Sequence, residues 1–81
     1  MFFTYILYSQ SADKFYIGST ANEPEYRLYQ HNNQHKGFTS QANDWKIMWT
    51  QSFSTMSEAR SMERQIKAWK SRKRIIKLID N

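Results

Sequence analysis

Between Arg60 and Lys77 the sequence carries a single acid, Glu63, among the cations Arg60, Arg64, Lys67, Lys70, Arg72, Lys73, Arg74 and Lys77. A carboxylate in that company has two uses. It can hold a hard divalent ion against a phosphate drawn in by the cations. Magnesium suits such a role, because it often takes only one or two carboxylates and fills its other positions with water and substrate oxygens. Alternatively, it forms an ordinary salt bridge with Arg60 or Lys67 at helical spacing.

Two further sets of residues carry chemistry. Arg27 and His31 lie four apart, so on a helix they share a face. The guanidinium forks onto phosphate oxygens, and the imidazole can move or hold a proton. Tyr5 and Tyr16 fall on two neighbouring apolar segments. A phenol is a poor base at its ordinary pKa near 10, but a nearby Arg or metal ion favours the phenolate. The plainer alternatives are an exposed polar helix face for Arg27 and His31, and two core tyrosines with satisfied hydroxyls. Gly18, two residues after Tyr16, is out of place in a strand interior and marks a bulge or the close approach of another group. His35 receives no role.

These side chains need elements to position them. Residues 2–8 are aromatic, β-branched and free of Gly and Pro, which predicts a strand. A polar loop over 9–14 and a second strand from Phe15 to Thr20 complete a hairpin that can bring Tyr5 and Tyr16 together. Asn22-Glu23-Pro24 is a helix-start signal, with Asn able to cap and Pro tolerated in the first turn. That helix is expected to run to about Asn32, and the polar stretch from Asn33 to Asp44 reads as a loop. Trp45 to Phe53 alternates, with Trp45, Ile47 and Trp49 assigned to one face. Thr55 and Glu58 form a capping box. Met56, Ala59, Met62, Ile66 and Trp69 then recur at helical spacing. At about 100° per residue from Met56 that stripe centres near about 280°, and Glu63 falls near about 340°, on its border. Arg60, Arg64 and Lys67 follow at about 20° to 80°. A bend near Ser71 separates a last short helix containing Ile75, Ile76, Leu78 and Ile79. The order β-β-α-β-α-α predicts an α+β fold, three strands with helices packed on them, formed as one domain over residues 1–81.

Composition narrows the function. The chain has 81 residues, no Cys, 16% aromatic residues and a formal net charge of +5. So small a core must be filled with large side chains. Disulfides and Cys-type zinc sites are excluded, and the composition suits a reducing, cytoplasmic setting. No apolar run approaches the roughly 18 residues that span a bilayer, and the N-terminal apolar stretch lacks the features of a signal peptide. Gly-rich nucleotide loops, Ser-His-Asp and Cys-His arrangements and zinc-ligand spacings are all missing from the sequence, and no small-molecule cofactor is expected. The basic block attracts phosphate backbones or anionic lipid, or serves only as a solvated face. Membrane-surface binding is the weaker expectation, because the apolar stripe of that helix is needed for the core.

In this order the residues resemble the GIY-YIG nuclease family. Phe3-Thr4-Tyr5 takes the place of the first motif, keeping its Tyr while Phe and Thr stand for Gly and Ile. Tyr16-Ile17-Gly18 matches the second motif letter for letter, and Gly18-Ser19-Thr20 continues as many members do. Arg27 followed by His31 is similar to the family's helix signature, and Glu63 to its metal-binding glutamate. The tail from Ile66 to Ile79 looks like that of small stand-alone members. The resemblance covers nearly the whole chain.

The resemblance implies a three-stranded antiparallel sheet flanked by helices. It also implies hydrolysis of a DNA phosphodiester with one divalent ion, Mg2+ or Mn2+. Glu63 would ligate the metal, Arg27 would stabilise charge developing on the phosphate, and His31 would assist proton transfer or positioning. Tyr5 or Tyr16 would activate water. Arg60, Arg64, Lys67, Lys70, Arg72 and Lys73 are the candidate nucleic-acid contacts, on duplex or branched DNA, with repair or recombination as the setting. The alternative is a nucleic-acid-binding module that keeps the fold without turnover.

Overall fold

A computed structural model describes residues 1–33 and 42–80. The elements are β1 (Phe2–Ser9), β2 (Lys14–Thr20), α1 (Pro24–Asn32), β3 (Trp45–Phe53), α2 (Met56–Trp69) and α3 (Arg72–Ile79). They follow the order expected from the sequence. The sheet is antiparallel with β1 in the centre, in the order β2-β1-β3. Of the loop expected over 33–44, residues 34–41 lie outside the described residues.

Because the strand repeat is two, β1 sends alternate side chains to opposite faces. Ile6 joins Ile17, Ile66 and Ile75 in one core, under α2 and α3. Tyr5 and Leu7 join Trp45 in another, with Leu28 of α1 packed against it. The central strand therefore serves two cores, and four consecutive residues, Thr4 to Leu7, are buried.

The assignment of Trp45, Ile47 and Trp49 to one face is corrected by the register. Leu7 pairs with Ile47 and Ile6 with Trp49, so Met48 is an extra residue in β3. Such a bulge shifts the alternation by one position. Ile47 stays with Trp45 in the core beneath α1, while Trp49 turns to the core beneath α2 and α3.

The helix starts divide in the same way. Thr55 and Glu58 make the expected capping box: Glu58 N donates to Thr55 Oγ1 at 3.2 Å, and Thr55 N donates to Glu58 Oε1 at 3.1 Å. Asn22 does not cap α1. Glu23 holds the cap position without a side-chain bond, Pro24 opens the helix, and Asn22 N donates to Thr20 Oγ1 instead. What fixes α1 lies at its other end. Asn32 accepts from Trp45 N at 2.8 Å and donates to Trp45 O at 3.2 Å. This side-chain amide satisfies both backbone groups of one strand residue and pins α1 to β3. Lys70 has φ 48° and ends α2 in a left-handed turn, and Ser71 then caps α3 by accepting from Arg74 N.

Candidate active site

The cluster is built around Gly18. Tyr5 pairs directly with Gly18 across the β1–β2 ladder, so both point to the α1 face. A Cβ on Gly18 would lie 2.5 Å from Tyr5 Oη, 2.6 Å from its Cζ and 3.1 Å from Tyr16 Cε2. Only a missing side chain lets the Tyr5 phenol lie across β2. Tyr16, paired with Leu7 on the same face, brings its ring centroid to 6.4 Å from that of Tyr5. The sequence marked Gly18 as a point of close approach, and Tyr5 is what approaches.

His31 closes the cluster from α1. Its Nε2 lies 3.0 Å from Tyr5 Oη, and its ring centroid lies 4.7 Å from that of Tyr16. His31 is 3% exposed. Burial, reinforced by the charge of Arg27, lowers its pKa to about 4. The imidazole is therefore neutral near pH 7, and a neutral imidazole can accept the phenolic proton. Tyr5 is 1% exposed, and burial raises its pKa above the usual phenol value, an effect that Arg27 partly offsets. Arg27 is half-buried and donates from Nη1 to Gln30 Oε1 at 2.6 Å.

Glu63 approaches from the other side of the sheet. Ser19, next to Gly18 and so on the opposite face of β2, donates to Glu63 Oε1 at 2.5 Å. Lys67 Nζ donates to Oε2 at 2.6 Å. The electrostatic influence of Arg27, Tyr16 and Glu63 reaches the Tyr5 phenol. Of the five residues singled out in the sequence, Tyr5, Tyr16 and His31 are thus in contact around Gly18, Arg27 acts on the Tyr5 phenol from α1, and Glu63 stands across the sheet at Ser19. Ser19 was not singled out. The signal available was its position: the neighbour of a glycine exposed to the site on one face must serve the other.

A catalytic-domain model of the GIY-YIG family matches residues 1–75. The chain belongs to the GIY-YIG family. Neither the curated proteins nor the solved structures compared with it yield a match. The GIY-YIG domain brings with it a nuclease-type function and a nucleic-acid substrate, and the family is in general dependent on divalent metal. No helix among the described residues is long and apolar enough to cross a membrane.

The donor chemistry fits such an ion. Among the described residues, no group of three or more His, Cys, Asp or Glu forms a ready-made cage. A single carboxylate at the edge of an open surface is nonetheless what a largely hydrated magnesium ion uses. Glu63, with its side chain 21% exposed, already accepts a cation, the Lys67 ammonium, at Oε2. The other basic candidates divide. Arg60 and Arg64 are exposed on α2, and Lys70 at its end. Arg72 is engaged by the Asp13 carboxylate, so a phosphate must compete for it. Lys73 is exposed on α3.

Proposed function

We propose that this protein is a divalent-metal-dependent DNA endonuclease that hydrolyses phosphodiester bonds at the Tyr5–Gly18–Tyr16 surface. The reading is carried by the buried Tyr5–His31 phenol–imidazole pair packed over Gly18 beside the half-buried Tyr16, with Arg27 and Glu63 both acting electrostatically on the Tyr5 phenol. Magnesium or manganese bound at Glu63 would supply Lewis acidity to the phosphate. Glu63 would hold that ion, with Ser19 fixing the carboxylate from the sheet. Arg27 would stabilise the charge that develops on the phosphate oxygens. Water would form the new bond to phosphorus as the bond from phosphorus to the leaving sugar oxygen breaks; its proton would pass to a phenol oxygen as the phenol gives its own proton to solvent, and solvent water would protonate the departing sugar oxygen. Tyr16 is the better placed of the two phenols, being half-buried where Tyr5 is enclosed. Tyr5 and His31 then act as a positioning pair. Arg60, Arg64, Lys67 and Lys70 would hold the backbone beside the site, and a branched substrate would fit a role in repair or recombination.

The test is incubation of branched, single-stranded and duplex DNA with magnesium. The expected result is cleavage of at least one substrate by the wild type and none by Glu63→Ala. Failure to cut any of them, or equal cutting by the variant, overturns the proposal. The Lys67 ammonium on Glu63 favours a second reading, in which the carboxylate is already satisfied and the domain binds without turnover. Metal-independent, salt-sensitive binding with no cleavage would select that reading.

A further inference from the structure

The cations between Arg60 and Lys77 do not form one surface. The left-handed turn at Lys70 and the cap at Ser71 break the run and redirect it. Arg60, Arg64 and Lys67 share the flank of α2 that carries Glu63. Arg72 is spent internally: Asp13 pairs with its guanidinium, which lies 5.3 Å from the Phe15 ring centroid and 5.8 Å from that of Tyr8. This clamp joins the start of α3 to the β1–β2 turn. Lys73, Arg74 and Lys77 project from α3 opposite its buried Ile75, within an arc of about 100°.

Two adjoining open grooves accompany them. One, of about 560 Å³, is lined by Lys73, Arg74, Ile76, Lys77 and Asp80. The other, of about 240 Å³, is lined by Trp69, Arg74, Lys77 and Leu78. Arg74 and Lys77 border both, and the Arg74 guanidinium lies 5.0 Å from the Trp69 ring centroid. The stack holds one cation in place over an apolar floor.

The first turn of the helix gains nothing from its charges, although Lys77 in the last turn suits the helix dipole. Its first turn contains no acid and three cations, Arg72, Lys73 and Arg74, where the helix dipole favours negative charge. Lys73 and Lys77 repel each other at a spacing of four. Among the described residues no ion pair relieves Lys73, Arg74 or Lys77. An external polyanion removes that conflict.

This face is separated from the catalytic one. Trp69 lies about 120° around α2 from Glu63. The clamp holds α3 at Asp13, and from there to Ser19 β2 runs about 20 Å at strand rise, equal to about 6 base pairs of duplex. We propose that the outer face of α3 is a second phosphate-backbone site, distinct from the cleft, which takes a nucleic-acid arm about 6 base pairs from the scissile bond. The inference rests on the nuclease reading for the identity of the polyanion. The spacing makes Lys73 and Lys77 a device for selecting long or branched substrates.

The experiment measures binding without divalent metal, by wild type and a Lys73→Ala/Lys77→Ala variant, to duplexes of about 8 and about 24 base pairs and to a four-way junction. The substitutions are exposed, and an unchanged melting temperature verifies folding. For the two larger DNAs, affinity should fall roughly tenfold and the slope of log K against log salt should become shallower by about 2. The short duplex should bind both proteins equally. Unchanged affinity for the larger DNAs, or no DNA binding by the wild type, overturns the proposal. An equal loss on short and long duplexes overturns it by placing both lysines at the cleft. Loss of binding to phosphatidylserine vesicles with DNA binding intact overturns it in favour of a lipid surface. Cleavage is not read, so a protein that shows the length-dependent loss but cuts nothing keeps this inference and loses the catalytic one.

Discussion

At the scale of single residues, Gly18 is the position where sequence and geometry meet most directly. The buried Tyr5 ring cannot swing away from an added methyl group, because the atoms it would meet are ring carbon and phenol oxygen, not the end of a flexible chain. Gly18→Ala is therefore expected to cost about 1–3 kcal/mol, the usual range for overpacking, measurable by thermal or urea unfolding. Adding Tyr5→Phe should not restore stability, since Cζ remains 2.6 Å from the new carbon. Full rescue would show that only the hydroxyl is in the way. Residue type and spacing put forward Glu63, Arg27 and His31 as candidates, and from the same reading the close approach at Gly18 was legible. The Ser19–Glu63 and Tyr5–His31 contacts were not, because each joins residues far apart in sequence whose meeting depends on how helices lie on the sheet.

At the scale of elements, helix and strand boundaries followed from periodicity and capping chemistry, and the capping box of α2 formed as written. The face of Trp49 did not follow. An alternating pattern carries no mark of an inserted residue, and Met48 breaks the alternation without Gly or Pro to announce it. The anchoring of α1 was also hidden, since Asn32 reads as a polar helix end until Trp45 is brought beside it. This anchor carries the placement of Arg27 and His31. Asn32→Leu should destabilise the protein by about 1–3 kcal/mol, because it leaves two backbone groups of Trp45 without the side-chain partner. If α1 placement matters to the site, any nuclease activity should fall by more than the loss of folded protein accounts for. Activity that tracks the folded fraction alone would separate the anchor from the chemistry.

At the scale of the whole molecule, the buried neutral His31 links stability to acid. Its pKa is depressed to about 4 in the folded chain, against about 6.5 when unfolded. The unfolded state thus binds the proton first as pH falls. The stabilisation is complete above about 6.5 and is lost progressively down to about 4, on the order of 3 kcal/mol in all. Unfolding measured between pH 7.5 and 4 should show this decline in the wild type and a flatter profile in His31→Gln. Identical profiles would mean that the imidazole is not held neutral. Asp13 works in the same direction at lower pH. Its carboxyl is held at about 2 by Arg72 first and Tyr8 second, so the clamp on α3 persists through the range in which His31 titrates. The overall basic character was plain from composition. Its division into two faces and one internal clamp needed the turn at Lys70.

The central position of β1 has one more consequence, for how this protein can change over evolutionary time. Residues Thr4 to Leu7 alternate between the two cores, and Thr4 Oγ1 also donates to the Ala59 carbonyl of α2 at 2.6 Å. A substitution at any of the four disturbs packing on one side and the alignment of Tyr5 in the same strand. Under the proposed function, catalytic and structural selection fall on the same four codons, and drift in the site should be recorded at its helical walls well before it reaches the strand.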